Sequence, residues 1–164
     1  MEFRRQISRR LHQEHVAVIA LLASFEQALV RLTVLPPGPE DATWQTLLPK
    51  LEAALRHEVT HHFQLEEEQL FPRLHESGEG DLADLLGEEH TTIRAVTGPL
   101  LELIAQATRS GLDAAGWRSL KTHGLELAER LTSHAQKEEG ALVPLVDDLL
   151  DEPTDSAIAM EYAG

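Results

Sequence analysis

Apolar residues recur along this chain with the 3.6-residue period of helices that bury one face. Leu11, Val18, Ile19, Leu22, Phe25 and Leu29 do so in a first segment predicted from about Glu2 to Thr33, and His15 falls in the same stripe. Leu35-Pro36-Pro37-Gly38-Pro39 stops that helix, since proline neither donates an N–H nor fits a helix interior. A second helix is capped at Asp41 to Thr43 and carries Leu48, Leu51, Leu55 and Val59, with Pro49 marking a late start or a kink. It ends through Pro72 in the loop Glu76-Ser77-Gly78-Glu79-Gly80. A third runs from about Asp81 to Thr108 with Leu86, Ile93, Thr97, Leu101 and Ile104 inward and a bend expected at Pro99. The fourth, from about Asp113 to Leu150, turns Leu120, Leu127, Leu131, Leu145 and Leu149 inward. No stretch reads as a strand. Short connections favour antiparallel neighbours, so the expectation is an all-α, up-down-up-down four-helix bundle over residues 1–150, followed by a flexible tail at 151–164.

The polar residues inside those stripes change the picture. His62-Phe63-Gln64-Leu65-Glu66-Glu67-Glu68-Gln69-Leu70-Phe71-Pro72 has a second copy in His134-Ala135-Gln136-Lys137-Glu138-Glu139-Gly140-Ala141-Leu142-Val143-Pro144. Both read H-x-Q-x-E-E-x-x-L-x-P. Residues four apart on a helix lie about 40° apart around its axis, so each copy presents an imidazole and a carboxylate side by side, within the buried stripe. The duplication extends upstream, where Glu14-His15 and Glu89-His90 begin the two halves. The chain is thus two similar helical hairpins, each with one histidine on its first helix and a His/Glu pair on its second. His15, His62, Glu66, His90, His134 and Glu138 would then face one bundle axis. Burying six ionisable groups without partners costs several kcal/mol each, and a shared cation is the economical compensation. The expected bundle therefore has a metal site in its core.

Composition narrows the chemistry. With no cysteine, thiolate zinc and iron–sulfur sites are excluded, leaving nitrogen and oxygen ligands that suit iron, manganese or zinc. Two carboxylates able to bridge, with too few donors for two octahedra, suit a dinuclear site with open positions. A formal charge of −14 argues against nucleic acid and anionic membrane as partners. Only 4% of residues are aromatic, so the core must be built from aliphatic side chains. Arg9-Arg10 ahead of Val16 to Phe25 loosely resembles a secretory leader, but Glu14 and two histidines interrupt it, and a cytoplasmic location is expected.

The doubled H-x-x-x-E, with the L-F-P and L-V-P that follow it and the histidines of the other two helices, resembles the hemerythrin-like (HHE cation-binding) family over about residues 5 to 150. The resemblance implies a four-helix bundle around a non-haem, carboxylate-bridged centre of two irons per chain, with His15, His62, Glu66, His90, His134 and Glu138 as ligands and Glu66 and Glu138 bridging. It also implies a small partner: dioxygen, nitric oxide or peroxide. Oxygen-carrying members place a second histidine four residues from the first on helix three, where this chain has Leu86. One metal is thereby short of a nitrogen, which His12 supplies only from about 100° off its stripe. Those members also place the carboxylate five residues after the histidine, which here is Glu139; Glu138 points inward better.

Two decoys and several roles stand beside this reading. His57-Glu58-Val59-Thr60-His61 matches the H-E-x-x-H zinc-protease signature, but on angle both histidines lie away from the core stripe. Glu58-Val59-Thr60-His61 also reads E-x-x-H, yet ferritin-like di-iron bundles need that pattern on two helices. Among roles, a binding or sensing domain stands against a redox enzyme that decomposes peroxide or repairs iron centres. An enzyme needs a proton donor beside the open position, and whether this chain is an enzyme is left open by its sequence.

Overall fold

The computed structural model describes residues 2–164 and is all-helical, with no strand among the described residues. Helix α1 is Gln6–Val30; α2 spans residues 42–76; α3 is Gly80–Arg109; α4 spans 114–149; and α5 is Glu152–Ala163. Helix α1 packs on α2 and α4, and α3 packs on the same two, so the four long helices enclose one interior. Asp41 caps α2 by accepting from Thr43 N at 3.0 Å and Trp44 N at 3.3 Å, and Asp113 caps α4 through Gly116 N at 2.7 Å. Pro49 lies inside α2 and not at its start. Gly124 is where α4 passes closest to α1: a Cβ there would sit 2.7 Å from Phe25 Cζ and Leu29 Cδ1.

Helices α2 and α4 are not α-helical throughout. Wider π-helical turns occupy His57–His62 and Glu66–Leu70 in α2, and Glu138–Leu142 in α4. In the last two, the N–H of Phe71 or Val143 reaches back five residues, to Glu66 or Glu138, and a proline follows at once. The prolines therefore fall where the ladder is already shifted and a missing donor costs least. This is why the helices continue past Pro72 and Pro144 instead of ending there. Each π turn adds one residue to the count and rotates everything beyond it by about 100°. The inward positions are thus Val146 late in α4 and Leu150 just past its end, one residue on from the expected Leu145 and Leu149, of which Leu149 is exposed.

The tail expected at 151–164 is instead a docked helix. Asp151 caps it by accepting from Thr154 N at 2.8 Å, Pro153 occupies its first turn, and Ile158 is buried. Its Asp155 supplies what α1 lacks, a cap: the carboxylate accepts from Gln6 N at 2.8 Å and Ile7 N at 2.9 Å, while Asp147 accepts from Arg5 N at 2.8 Å. A local pattern search misses such a cap because donor and acceptor lie at opposite ends of the chain.

The apolar interior is in two pieces. One gathers around Phe25, Leu51, Leu55, Ile93, Leu120 and Leu131. The other gathers around Ile7, Leu11, Leu70, Leu86, Leu142 and Val146. On every long helix the residues between the two pieces are the ionisable ones.

Candidate metal centre

Four imidazoles and two carboxylates fill that gap, and His15, His62, Glu66, His90, His134 and Glu138 are all essentially inaccessible to solvent. His15 Nε2 and His62 Nε2 lie 3.2 Å apart, and His90 Nε2 and His134 Nε2 lie 3.1 Å apart. Glu66 lies between the pairs, its two oxygens 2.7 Å from His62 Nε2 and 3.0 Å from His90 Nε2. Glu138 is its counterpart: Oε2 is 2.8 Å from His15 Nε2, and Oε1 contacts His134 and lies 3.5 Å from His90 Nε2. Two donor sets result, His15/His62/Glu66/Glu138 and Glu66/His90/His134/Glu138, each with ligand atoms within 4.8 Å of one another.

The outward nitrogens are held as well. His15 Nδ1 meets Glu139 Oε1 at 2.6 Å, His62 Nδ1 meets Glu14 Oε2 at 3.2 Å, His90 Nδ1 meets Glu67 Oε2 at 2.8 Å, and His134 Nδ1 meets Glu89 Oε1 at 2.8 Å. A carboxylate on Nδ1 places the proton there and turns the Nε2 lone pair inward, as metal-binding imidazoles require. The repeat explains the arrangement. In each Glu-His pair the glutamate serves the histidine of another helix, and in each Glu-Glu pair the first points to the centre while the second holds a histidine. The π turns at the Glu-Glu pairs let adjacent residues serve neighbouring targets. Phe63 stacks on His90 at a centroid distance of 3.7 Å and fixes the plane of that ring.

Electrostatics follow from the geometry. Burial pulls the His15 pKa down, but Glu138 and Glu139 outweigh it and raise it to about 9. His90 is likewise raised to about 9, against burial, by Glu138 and Glu66. His62 and His134 move in the same direction, and Glu138 is held well below the usual carboxylate range although burial opposes it. In the metal-free protein, protons on imidazoles therefore balance the buried carboxylates. The fit to a cation is visible in what those protons leave unsatisfied: both oxygens of Glu66 and Oε1 of Glu138 are buried without a hydrogen bond in proper geometry. Acceptor-only oxygens and converging Nε2 atoms suit divalent metals with nitrogen and oxygen ligands.

The remaining candidates fall outside this set. His12 Nδ1 meets Glu139 Oε2 at 2.6 Å, so both lie one layer out. Position 86 on α3 is a buried leucine. His57 Nε2 faces Glu14 Oε1 at 2.5 Å and the Tyr162 hydroxyl at 3.3 Å, while His61 is exposed, and the two belong to no metal-holding group among the described residues. In the sequence Glu58 stands out only as part of the two decoy motifs. It is 2% exposed, its Oε1 is 3.8 Å from His62 Nε2, and burial pushes its carboxyl pKa up. The signal was its place four residues before His62, about 40° from that histidine around the helix.

No helix among the described residues is long and apolar enough to cross a membrane. The model of the hemerythrin HHE cation binding domain matches residues 6–152. No curated protein matches the chain.

Proposed function

Because the chain belongs to the hemerythrin HHE cation-binding domain family, we propose that its buried cluster holds two irons in an up-down-up-down bundle and that the protein binds dioxygen, nitric oxide or peroxide there. His15 and His62 would hold one metal and His90 and His134 the other, with Glu66 and Glu138 available to both. The observation that carries this reading is the convergence of two Nε2 pairs on carboxylate oxygens that have no other partner. When bound, such a pair of irons supplies open coordination positions for a small oxygen- or nitrogen-containing ligand and exchanges electrons with it. The chain's own residues do the rest. Outer carboxylates hold each imidazole in one tautomer, and the two apolar clusters close the interior on either side of the metal layer. Sensing or stress response, in the cytoplasm, is the role this reading assigns.

A second reading, a redox enzyme acting on peroxide or on damaged iron centres, is favoured by Glu58. It is a carboxyl that burial disposes to keep its proton, next to His62, and it is the proton donor that such an enzyme needs. Anaerobic metal analysis, with optical spectra before and after dioxygen, nitric oxide and peroxide, tests both readings. About two irons per chain and a spectrum altered by one of the three ligands are expected. Protein that takes up no iron refutes the proposal, and catalytic consumption of peroxide selects the second reading over the first.

A further inference from the structure

The two halves of the centre are related by the internal repeat, yet their surroundings differ in charge at two matched positions. Glu67 and Glu89, behind His90 and His134, are each neutralised by a permanent cation. Arg94 donates to both oxygens of Glu67 at 2.8 and 3.0 Å, and Lys137 pairs with Glu89. Their repeat counterparts behind His15 and His62 are Glu139 and Glu14. At the positions matching Arg94 and Lys137 the first half carries Ile19 and Leu65. Glu139 instead meets His12, and Glu14 meets His57 and Tyr162, which are neutral or only conditionally charged groups. Among the described residues the permanent cation near this pair is Arg10, half-exposed and 3.6 Å from Glu14. Both differences act in one direction.

The geometry points to unequal metal sites: the His15/His62 half is the strong one and fills first, and the His90/His134 half is the weak, exchangeable one. This rests on the metal-binding reading above. A carboxylate behind an imidazole strengthens it as a ligand, and a cation on that carboxylate takes part of the effect away. Arg94 and Lys137 stand behind the second pair and only the half-exposed Arg10 near the first, and a difference of about 1.4 kcal/mol between the halves corresponds to a tenfold difference in affinity. The expected gap is on the order of tenfold in affinity.

Anaerobic manganese(II) titration of the metal-free full chain, followed by electron paramagnetic resonance, tests this. Up to about one equivalent, the spectrum of an isolated ion is expected. A coupled pair replaces it as the second equivalent binds. His134→Ala keeps the tight equivalent, whereas His62→Ala loses it. Arg94→Ile with Lys137→Leu, which puts first-half residue types into the second half, brings the two affinities together, while Arg94→Lys preserves the gap. Circular dichroism of each variant identifies any that fail to fold. Direct appearance of the coupled pair from the first addition overturns the inequality and leaves the metal reading standing. So does a tight equivalent that survives His62→Ala but not His134→Ala. Failure of the wild type to bind manganese or iron at all defeats both.

Discussion

The metal-free protein should lose stability as pH rises from neutrality to mildly alkaline values. The perturbation is pH alone. His15 and His90 each have a folded-state pKa near 9 against an ordinary value of 6.5. A group whose pKa is raised by folding contributes stability that is complete below about 6.5 and gone once pH has passed the folded value. Each of these histidines carries on the order of 3 kcal/mol. They share Glu138 as a partner, so their contributions overlap, and the total falls between about 3 and 7 kcal/mol. His62, His134 and Glu58, all shifted upward, act with the same sign. A loss of that size is a large part of the roughly 5–15 kcal/mol that holds a typical domain together. Urea unfolding of the apo protein at several values between pH 6 and pH 9.5, followed by circular dichroism, measures it directly. Iron-loaded protein should show a much flatter profile, because a metal replaces the protons as counter-charge and its uptake releases them. A midpoint for the apo protein that stays constant or rises over this range refutes the assignment of protonated imidazoles to the empty site.

His62→Ala and His134→Ala should each leave fewer than two irons per chain, while His57→Ala combined with His61→Ala should leave iron content nearly intact; elemental analysis decides, and the reverse pattern points to metal at His57 and His61. Glu66→Ala should be at least as severe as either single histidine change, because it removes a donor from both sets. Asp155→Ala should cost about 1–3 kcal/mol by leaving the N–H groups of Gln6 and Ile7 without their acceptor, read as a lower urea midpoint with unchanged iron stoichiometry.

The four long helices were legible because burial imposes a period on each of them, and the six central residues because they interrupt that period twice in the same way. Glu138 against Glu139 was decidable on angle alone, and the structure puts the first against the imidazoles and the second behind His15. What stayed hidden has more than one physical origin. A residue count at 100° per residue assumes one helix type, and the π turn at Glu138–Leu142 breaks the assumption, shifting the end of α4 by one position. Helix α5 was hidden for another reason. Its cap is local and readable at Asp151, but the service it performs, at Gln6 and Ile7, spans the length of the chain. The four outer carboxylates lay in plain view beside the six central groups, yet which imidazole each one serves depends on packing between helices.

The cap on α1 also sets an order of events during synthesis. Ile7 is translated 148 residues before the aspartate that accepts its N–H. At 5–20 residues per second the wait is roughly 7 to 30 s. Throughout it the first turn of α1 has no partner for its donors, and the apolar cluster around Ile7 and Leu11 lacks Val146 and Ile158. The nascent chain can assemble the other cluster first, since Phe25, Leu51, Ile93, Leu120 and Leu131 all precede Glu138. The metal layer and the cluster beyond it then close together, late, leaving an interval in which the pocket is open at one end and an ion can enter from solvent.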